Sequence, residues 1–316
     1  MSYFHIPVLL KEVIENIDPK PGENLVDGTI GGGGHSKAIL ERTSPDGKLL
    51  GIDFDQEALI ECKRRLSEYS GRVFLERGNY VDFGEFTKKN NFDPINIFFL
   101  DLGISSHQLD DENLGISFLG NAPLDMRLGG FDQNNDERTT AENIVNNCKE
   151  EEIEEMLKKY GEERYAKLIA REIVSKRKEH RIVNTSQLVG IIEKAVPSRY
   201  KKQKIHYATR TFQALRIAVN KELENLSEAL PRMLEKVSPG GRIAVISFHS
   251  LEDRIVKQFF RRESKDCICE PEIPVCVCGH RKKLEIITKK AITAGDEEIA
   301  QNPRSRSAKL RVARKI

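Results

Sequence analysis

Three acids and a run of glycines carry the chemistry this chain can do. Asp27-Gly28-Thr29-Ile30 leads into Gly31-Gly32-Gly33-Gly34-His35-Ser36, directly after the short apolar run Asn24-Leu25-Val26. Seventeen residues past Ser36 a second apolar run, Leu49-Leu50-Gly51-Ile52, ends in Asp53. A third, Ile95-Asn96-Ile97-Phe98-Phe99-Leu100, ends in Asp101. A glycine turn between a strand and a helix brings backbone close to a ligand at the helix N-terminus. An acid at the end of the second strand then accepts hydrogen bonds from ribose hydroxyls. The pattern reads as a nucleoside site. A dinucleotide site would show G-x-G-x-x-G, whereas here four consecutive glycines precede His35. With no pyrophosphate to cradle, backbone approach and ribose contacts matter more than a phosphate nest. S-adenosylmethionine is therefore favoured over NAD.

Tyr80 follows the third predicted strand, where its ring can lie against a purine or serve as an ordinary loop aromatic. Beyond Asp101 the chain reads Leu102-Gly103-Ile104-Ser105-Ser106-His107-Gln108. In methyl transfer to an exocyclic amine the nitrogen lone pair is drawn into the ring. An acceptor for the NH₂ protons, aligned with the methyl group, localises it. Asp101 and Ser105 are the candidates for that role; the alternative is that Asp101 only binds the cofactor. His249, directly after a predicted strand, reads as a structural histidine before a catalyst. Cys62 and Cys148 read as isolated core thiols. Cys267, Cys269, Cys276 and Cys278 place four thiols within twelve residues. Two readings stay open for them, a tetrahedral Zn²⁺ site with C-x-C spacing and a hairpin of free thiols. The sequence contains no Ser/His/Asp triad signature, P-loop or H-E-x-x-H string.

The elements that must position these residues follow from periodicity. Residues 7–17 read as a helix with proline at its start, 56–66 as another and 83–88 as a short third. Residues 72–76 read as a strand, and 95–101 as a strand buried on both faces of a parallel sheet. After Asp101 the alternation stops. Residues 110–206 show helical patterns without a strand, clearest at 150–160, 164–178 and 185–195, the last capped by Asn184-Thr185-Ser186. Strand signals resume at 241–248, followed by a helix at 251–262 and strands at 284–288 and 309–313. The expected fold class is α/β, a Rossmann-like sheet built discontinuously from residues 1–109 and 207–316. An all-helical insertion, residues 110–206, leaves it beside the site, where a substrate-selecting module is useful.

The 316 residues are 39% hydrophobic and 32% charged, the balance of a soluble globular protein. No apolar run approaches the ~20 residues that span a bilayer. The N-terminal residues lack the layout of a secretory signal, so a cytoplasmic protein with reduced thiols is expected. A net charge of +2 does not by itself argue for nucleic acid. Its distribution is more telling. Arg304, Arg306, Lys309, Arg311, Arg314 and Lys315 crowd the last thirteen residues, and Arg199, Lys201, Lys202 and Lys204 form a second cluster. Either cluster can neutralise phosphates or form a solvated basic face.

Taken together, these strings resemble the bacterial 16S rRNA (cytosine-N4)-methyltransferase family (RsmH, formerly MraW), over nearly the whole chain. The resemblance rests on His5-Ile6-Pro7-Val8-Leu9, on Asp27-Gly28-Thr29 through Gly33-Gly34-His35-Ser36, and on Asp101-Leu102-Gly103 with Ser105, Ser106 and Gln108. It continues through Pro123-Leu124-Asp125-Met126-Arg127, Thr211-Phe212-Gln213-Ala214-Leu215-Arg216, the string from Ser247 to Arg254, and Asn302-Pro303-Arg304. It implies a class I S-adenosylmethionine-dependent fold, with the cofactor bound by Gly33, Gly34, His35, Asp53, Tyr80, Asp101 and Gln108. It implies methylation of N4 of a cytosine in the decoding region of 16S rRNA in the small ribosomal subunit, with the helical insertion aiding RNA recognition. No membrane is involved, and the protein is a monomer or homodimer. The chain departs from the family pattern in places. Leu114-Gly115-Ile116-Ser117-Phe118 stands where Arg-Gly-Phe-Ser-Phe is usual, Gly32 stands before Gly33, and Tyr80 replaces a frequent phenylalanine. Among other readings, a DNA amino-methyltransferase lacks its Asp/Asn/Ser-Pro-Pro-aromatic string here. A nonenzymatic assembly factor would bind cofactor without turnover, and a dehydrogenase would bind NAD.

Overall fold

The computed structural model describes residues 7–104, 108–109, 111, 113–129, 139–270 and 275–316. In chain order the elements are α1 (Leu10–Ile17), β1 (Leu25–Asp27), α2 (Gly34–Arg42), β2 (Leu49–Asp53), α3 (Gln56–Arg65), β3 (Val73–Arg77), α4 (Phe83–Lys89) and β4 (Ile95–Asp101). Next come α5 (Ala141–Asn147), α6 (Glu150–Gly161), α7 (Ala166–Lys176), α8 (Thr185–Ala195), α9 (Ser198–Lys201) and α10 (Thr209–Asn220). The chain closes with α11 (Glu222–Lys236), β5 (Val237–Ser247), α12 (Ser250–Glu263), β6 (Leu284–Ile286), α13 (Asp296–Gln301) and β7 (Lys309–Lys315). These elements fall into two compact units, Met1–Gly103 with Leu223–Ile316, and Ile104–Glu222. No helix among the described residues is long and apolar enough to cross a membrane.

The first unit is built on a seven-stranded sheet in the order β3-β2-β1-β4-β5-β7-β6. The strands from β3 to β5 are parallel, while β7 runs antiparallel to both β5 and β6. Strand period sends neighbouring side chains to opposite faces. Phe98 therefore joins Val26, Phe83, Leu226, Met233 and Phe260 in one core, and Phe99 joins Leu9, Ile14, Ile39, Leu40 and Leu310 in the other. Each such buried side chain contributes roughly 1.5–3 kcal/mol against exposure. Register brings Asp27 level with Gly51 and Phe99, which aligns the carboxyl ends of the central strands.

Three of the elements that differ from their sequence-based bounds do so for a visible local reason. α1 begins at Leu10 rather than Pro7, because Leu9 is left-handed at φ 55° and its N–H is taken by Glu298 Oε1 at 2.7 Å. β5 begins at Val237, which pairs with Ile95 before a register shift restores pairing at Ile97 and Arg242. β6 ends at Ile286, since the hydroxyl of Thr288 accepts the Val312 N–H at 2.8 Å in place of a ladder bond.

The second unit is helical in α5 to α10 around its own core, including Leu124, Met126, Ile153, Leu157, Ile169, Leu188 and Phe212. Asn184 caps α8 as its sequence suggests, accepting Gln187 N–H at 2.9 Å. The unit runs past residue 206 to take in α10, whose Phe212, Ala214, Leu215 and Val219 are part of that core. Leu114, where the family usually has arginine, is buried, and Gly115 lies so close to Pro123 that a Cβ would meet its carbonyl oxygen at 1.9 Å.

Candidate active site

The site grows from the turn after β1. Gly28 is enclosed so tightly that an added Cβ would lie 2.6 Å from Leu100 Cδ2 and 2.7 Å from Tyr80 Cβ. Gly33 is left-handed at φ 75°, and a Cβ there would stand 2.9 Å from Cys62 Sγ. Conformation and crowding both demand glycine. α2 opens immediately afterwards at Gly34, and the first N–H groups of a helix together with its dipole favour an anion.

Asp27 fastens this turn to the helix. Its Oδ2 accepts the Ser36 hydroxyl at 2.6 Å and its Oδ1 the Thr29 N–H at 3.1 Å, while burial pushes the carboxyl up to about 7. Asp53 holds the turn from β2. Its Oδ2 accepts Gly31 N–H at 2.8 Å and its Oδ1 accepts Asp55 N–H at 2.9 Å. Burial pushes Asp53 up to about 6. A carboxylate has about four acceptor positions, so Asp53 keeps capacity for a ligand's hydroxyls. Tyr80 opens a single 3₁₀ turn, Tyr80–Asp82, capped by Asn79, and stands over Gly28.

Asp101 is the most unusual group. Its backbone N–H donates to the Thr29 hydroxyl at 2.6 Å. Its Oδ2 lies 3.6 Å from His35 Nδ1, and its Oδ1 is buried with no hydrogen-bond partner among the described residues. Burial, then the nearby charges of Asp27 and Glu252, push the carboxyl up to about 8. The His35 ring is itself buried against Phe99, with centroids 4.8 Å apart. Its Nε2 lies 2.8 Å from the Val8 carbonyl, which can only accept, so Nε2 carries the proton. Its Nδ1 faces Asp101 Oδ2, a contact that is favourable when one proton lies between the two atoms. The ring thus packs behind Asp101, and only the backbone of His35 lies at the α2 N-terminus.

The rim therefore brings together Gly33, Gly34, His35, Asp53, Tyr80 and Asp101 in one unit. Gln108 is buried in the helical unit, and Ser105 lies outside the described residues. Sequence reasoning gave no role to Thr29 or Ser36, although a hydroxyl two and nine residues after an acid is a visible cue.

The other unusual strings are largely structural. His249 caps α12, its Nδ1 accepting Glu252 N–H at 3.4 Å while Glu252 Oε2 accepts Phe248 N–H at 2.9 Å. Asp253 receives Arg311 at 2.6 Å. Burial alone would raise its carboxyl, but the Arg311 guanidinium holds it below the ordinary value. Arg314 pairs with Glu285, and Lys315 Nζ reaches the carbonyls of Glu235 and Val237 at 3.1 and 2.8 Å. Much of the C-terminal basic cluster is thus spent inside the sheet unit, while Arg304 and Arg306 remain exposed. In the helical unit, Arg127 forks onto Asp125 at 2.8 and 2.7 Å, and Arg216 onto Glu222 at 2.9 Å. The sulfurs of Cys267, Cys269, Cys276 and Cys278 all lie within 4.8 Å of one another.

A parallel sheet with an antiparallel β7 inserted beside β5, and acids ending β1, β2 and β4 around a glycine turn, defines a class I S-adenosylmethionine-dependent methyltransferase. The residues fit that cofactor. Asp101 offers a buried carboxyl oxygen without a partner among the described residues, and the glycines form a close-walled turn that side chains would fill. The family described as the MraW methylase family matches residues 2–316, and the chain belongs to it. A relative from Heliobacterium mobile, named ribosomal RNA small subunit methyltransferase H, is 49% identical over 320 residues, covering 100% of both chains. One of the same name from Geobacter sulfurreducens is 49% identical over 316 residues, again covering 100% of both. A solved structure, an rRNA methylase from Streptococcus thermophilus, covers 99% of this chain and 99% of its own, at 10% identity and a TM-score of 0.44. A likeness that distant adds nothing to the strand order.

Proposed function

We propose that the protein transfers a methyl group from S-adenosylmethionine to the N4 amino group of a cytosine in the decoding region of 16S rRNA, in the cytoplasm. The observation that carries this reading is the end-to-end match, at 49% identity, to relatives named for small-subunit ribosomal RNA.

At the rim the cofactor supplies an electrophilic methyl group on its sulfonium sulfur. Asp53 would hold the ribose hydroxyls, Tyr80 would pack against the adenine, and the Gly33-Gly34 backbone at the start of α2 would hold the carboxylate end. Asp101 as a carboxylate would offset the cofactor's positive charge. It would also accept an amino proton of the target base, which localises the nitrogen lone pair. A carboxyl whose affinity for protons is raised to about 8 also suits uptake of the proton released by the methylated amine.

A target base leaves its stack to reach such a site, and flanking RNA must be held meanwhile. In the sheet unit, exposed Arg304 and Arg306 provide phosphate contacts. In the helical unit, exposed Arg199, Lys202 and Lys204 lie close in sequence to an aromatic stack. His206 stacks on Phe118 with centroids 4.7 Å apart and planes 16° from parallel, and meets Tyr207 at 4.1 Å with the rings tilted by 30°. Basic residues beside ring faces are the chemistry of single-stranded RNA binding. A flipped base needs accessible neighbours, so a near-complete small subunit is the expected acceptor.

The test is transfer of labelled methyl from S-adenosylmethionine to small subunits from cells lacking the protein, followed by nucleoside analysis. Label in N4-methylcytidine is expected. Label in another nucleoside overturns the target, and cofactor binding with no label favours an assembly factor without turnover.

A further inference from the structure

Between α12 and β6 the chain runs through residues 264–283 without a helix or strand among those described, and none of those described is buried. Val275 and Val277 are 74% and 76% exposed. Nothing apolar holds this segment together, yet four sulfurs converge in it. Cys267 Sγ lies 3.4 Å from Cys276 Sγ and 3.8 Å from Cys278 Sγ. Cys276 Sγ lies 3.6 Å from Cys278 Sγ and 4.0 Å from Cys269 Sγ. A disulfide would need ~2.05 Å. Four thiolates around a tetrahedral Zn²⁺ at ~2.3 Å stand ~3.8 Å apart along each edge. The observed separations straddle that edge.

The backbone supports the same centre. Ile268 N–H points to Cys278 Sγ, Cys269 N–H to Cys267 Sγ and Val277 N–H to Cys269 Sγ, each at 3.4 Å. Backbone donors aimed at the sulfurs hold them where they converge. Gly279, left-handed at φ 61°, turns the chain straight after Cys278. The roots of the hairpin are fixed independently, by Lys283 N–H on the Glu263 carbonyl at 2.8 Å and His280 Nε2 on the Arg262 carbonyl at 3.1 Å.

The geometry points to a structural zinc site in which Cys267, Cys269, Cys276 and Cys278 hold one Zn²⁺ as four thiolates. A segment too small to bury a core is commonly closed by a metal instead. Binding releases the thiol protons to solvent, with no change of oxidation state. Four protein ligands fill the tetrahedron, so the ion is structural and leaves no position for substrate. The site is independent of the methyl-transfer reading.

The full-length protein, purified under reducing conditions, is assayed for metal by mass spectrometry and for thiol reactivity with and without chelator. One zinc per chain is expected, with four thiols that react only after chelation. Cobalt exchanged into the site should show the visible bands of a tetrahedral thiolate complex. The pair Cys267→Ser with Cys276→Ser should lose at least tenfold in bound metal, while Cys148→Ser keeps it. Chelation should also open Lys265, Arg281 and Lys282 to trypsin with the remainder of the chain intact. Reduced protein that neither retains nor takes up zinc overturns the site, as does iron in its place, metal that survives the double substitution, or isolation of the four cysteines as disulfides.

Discussion

Asp101 sits at the end of β4 with one carboxyl oxygen buried and unbonded among the described residues and the other facing His35. With Asp27 and Asp53 it makes the rim respond to pH, since the three carboxyls are pushed up to about 8, 7 and 6. The unfolded chain releases such protons near pH ~4, so between that value and pH 8 the folded rim binds more of them. Their contribution to stability is full below ~4 and is lost as pH rises through 6 to 8. The melting temperature of the ligand-free protein should therefore fall over that window, and Asp101→Asn should remove the upper part of the slope; thermal scans across pH check this. A cationic cofactor prefers the deprotonated rim, so its affinity should rise with pH over the same window. Asp53→Ala should weaken cofactor binding by about 1–3 kcal/mol through lost charge-assisted hydrogen bonds. Titration calorimetry measures it, and an unchanged affinity would remove Asp53 from the site. The acids and glycines of the rim were legible because each stands at the end of an apolar run. The inward turn of His35 was not, because it depends on Val8 lying nearby in space.

At the scale of elements, the site depends on the β1–α2 turn and on how β7 closes the sheet. Gly33→Ala must leave φ 75° or push against Cys62, at a cost of about 1–3 kcal/mol. Denaturant unfolding should register that loss, with a matching fall in cofactor affinity. Arg311→Ala leaves the Asp253 carboxylate, whose side chain is 12% exposed beside an arginine that is 11% exposed, with Lys309 at 3.8 Å in place of the closer guanidinium. Losing those charge-assisted hydrogen bonds costs about 1–3 kcal/mol, read as a lower unfolding midpoint. The parallel strands were legible from their apolar runs and terminal acids. α10 and α11 were harder to see. Thr209 to Arg216 reads as a polar–aromatic string, and α11 carries Pro231 in its interior. The antiparallel course of β7 has no local signature, because direction is set by pairing with β5 and β6 alone.

Across the whole molecule, charge is divided between holding the fold and meeting a partner. A sequence shows that division poorly, since Arg306 and Arg311 look alike until Asp253 is seen beside Arg311 and Arg306 is seen exposed. Replacing Arg304 and Arg306 with alanine should weaken RNA binding, sparing cofactor affinity. For every phosphate left without its arginine, the slope of log affinity against log salt should flatten by ~0.7–0.9. Replacing Lys202 and Lys204 should do the same from the helical unit. Filter binding across a salt series distinguishes both outcomes from a fold defect.

The strand order carries a consequence for how this protein is made. β7 is synthesised after β6 yet lies between β6 and β5. Until it emerges, β5 and β6 wait on the nascent chain with bare edges, each ready to pair with any extended peptide. A chain cut short before Lys309 keeps those edges open for its lifetime. Premature termination, at whichever codon before that point, would thus leave a product marked for chaperones and proteases by its unfinished sheet.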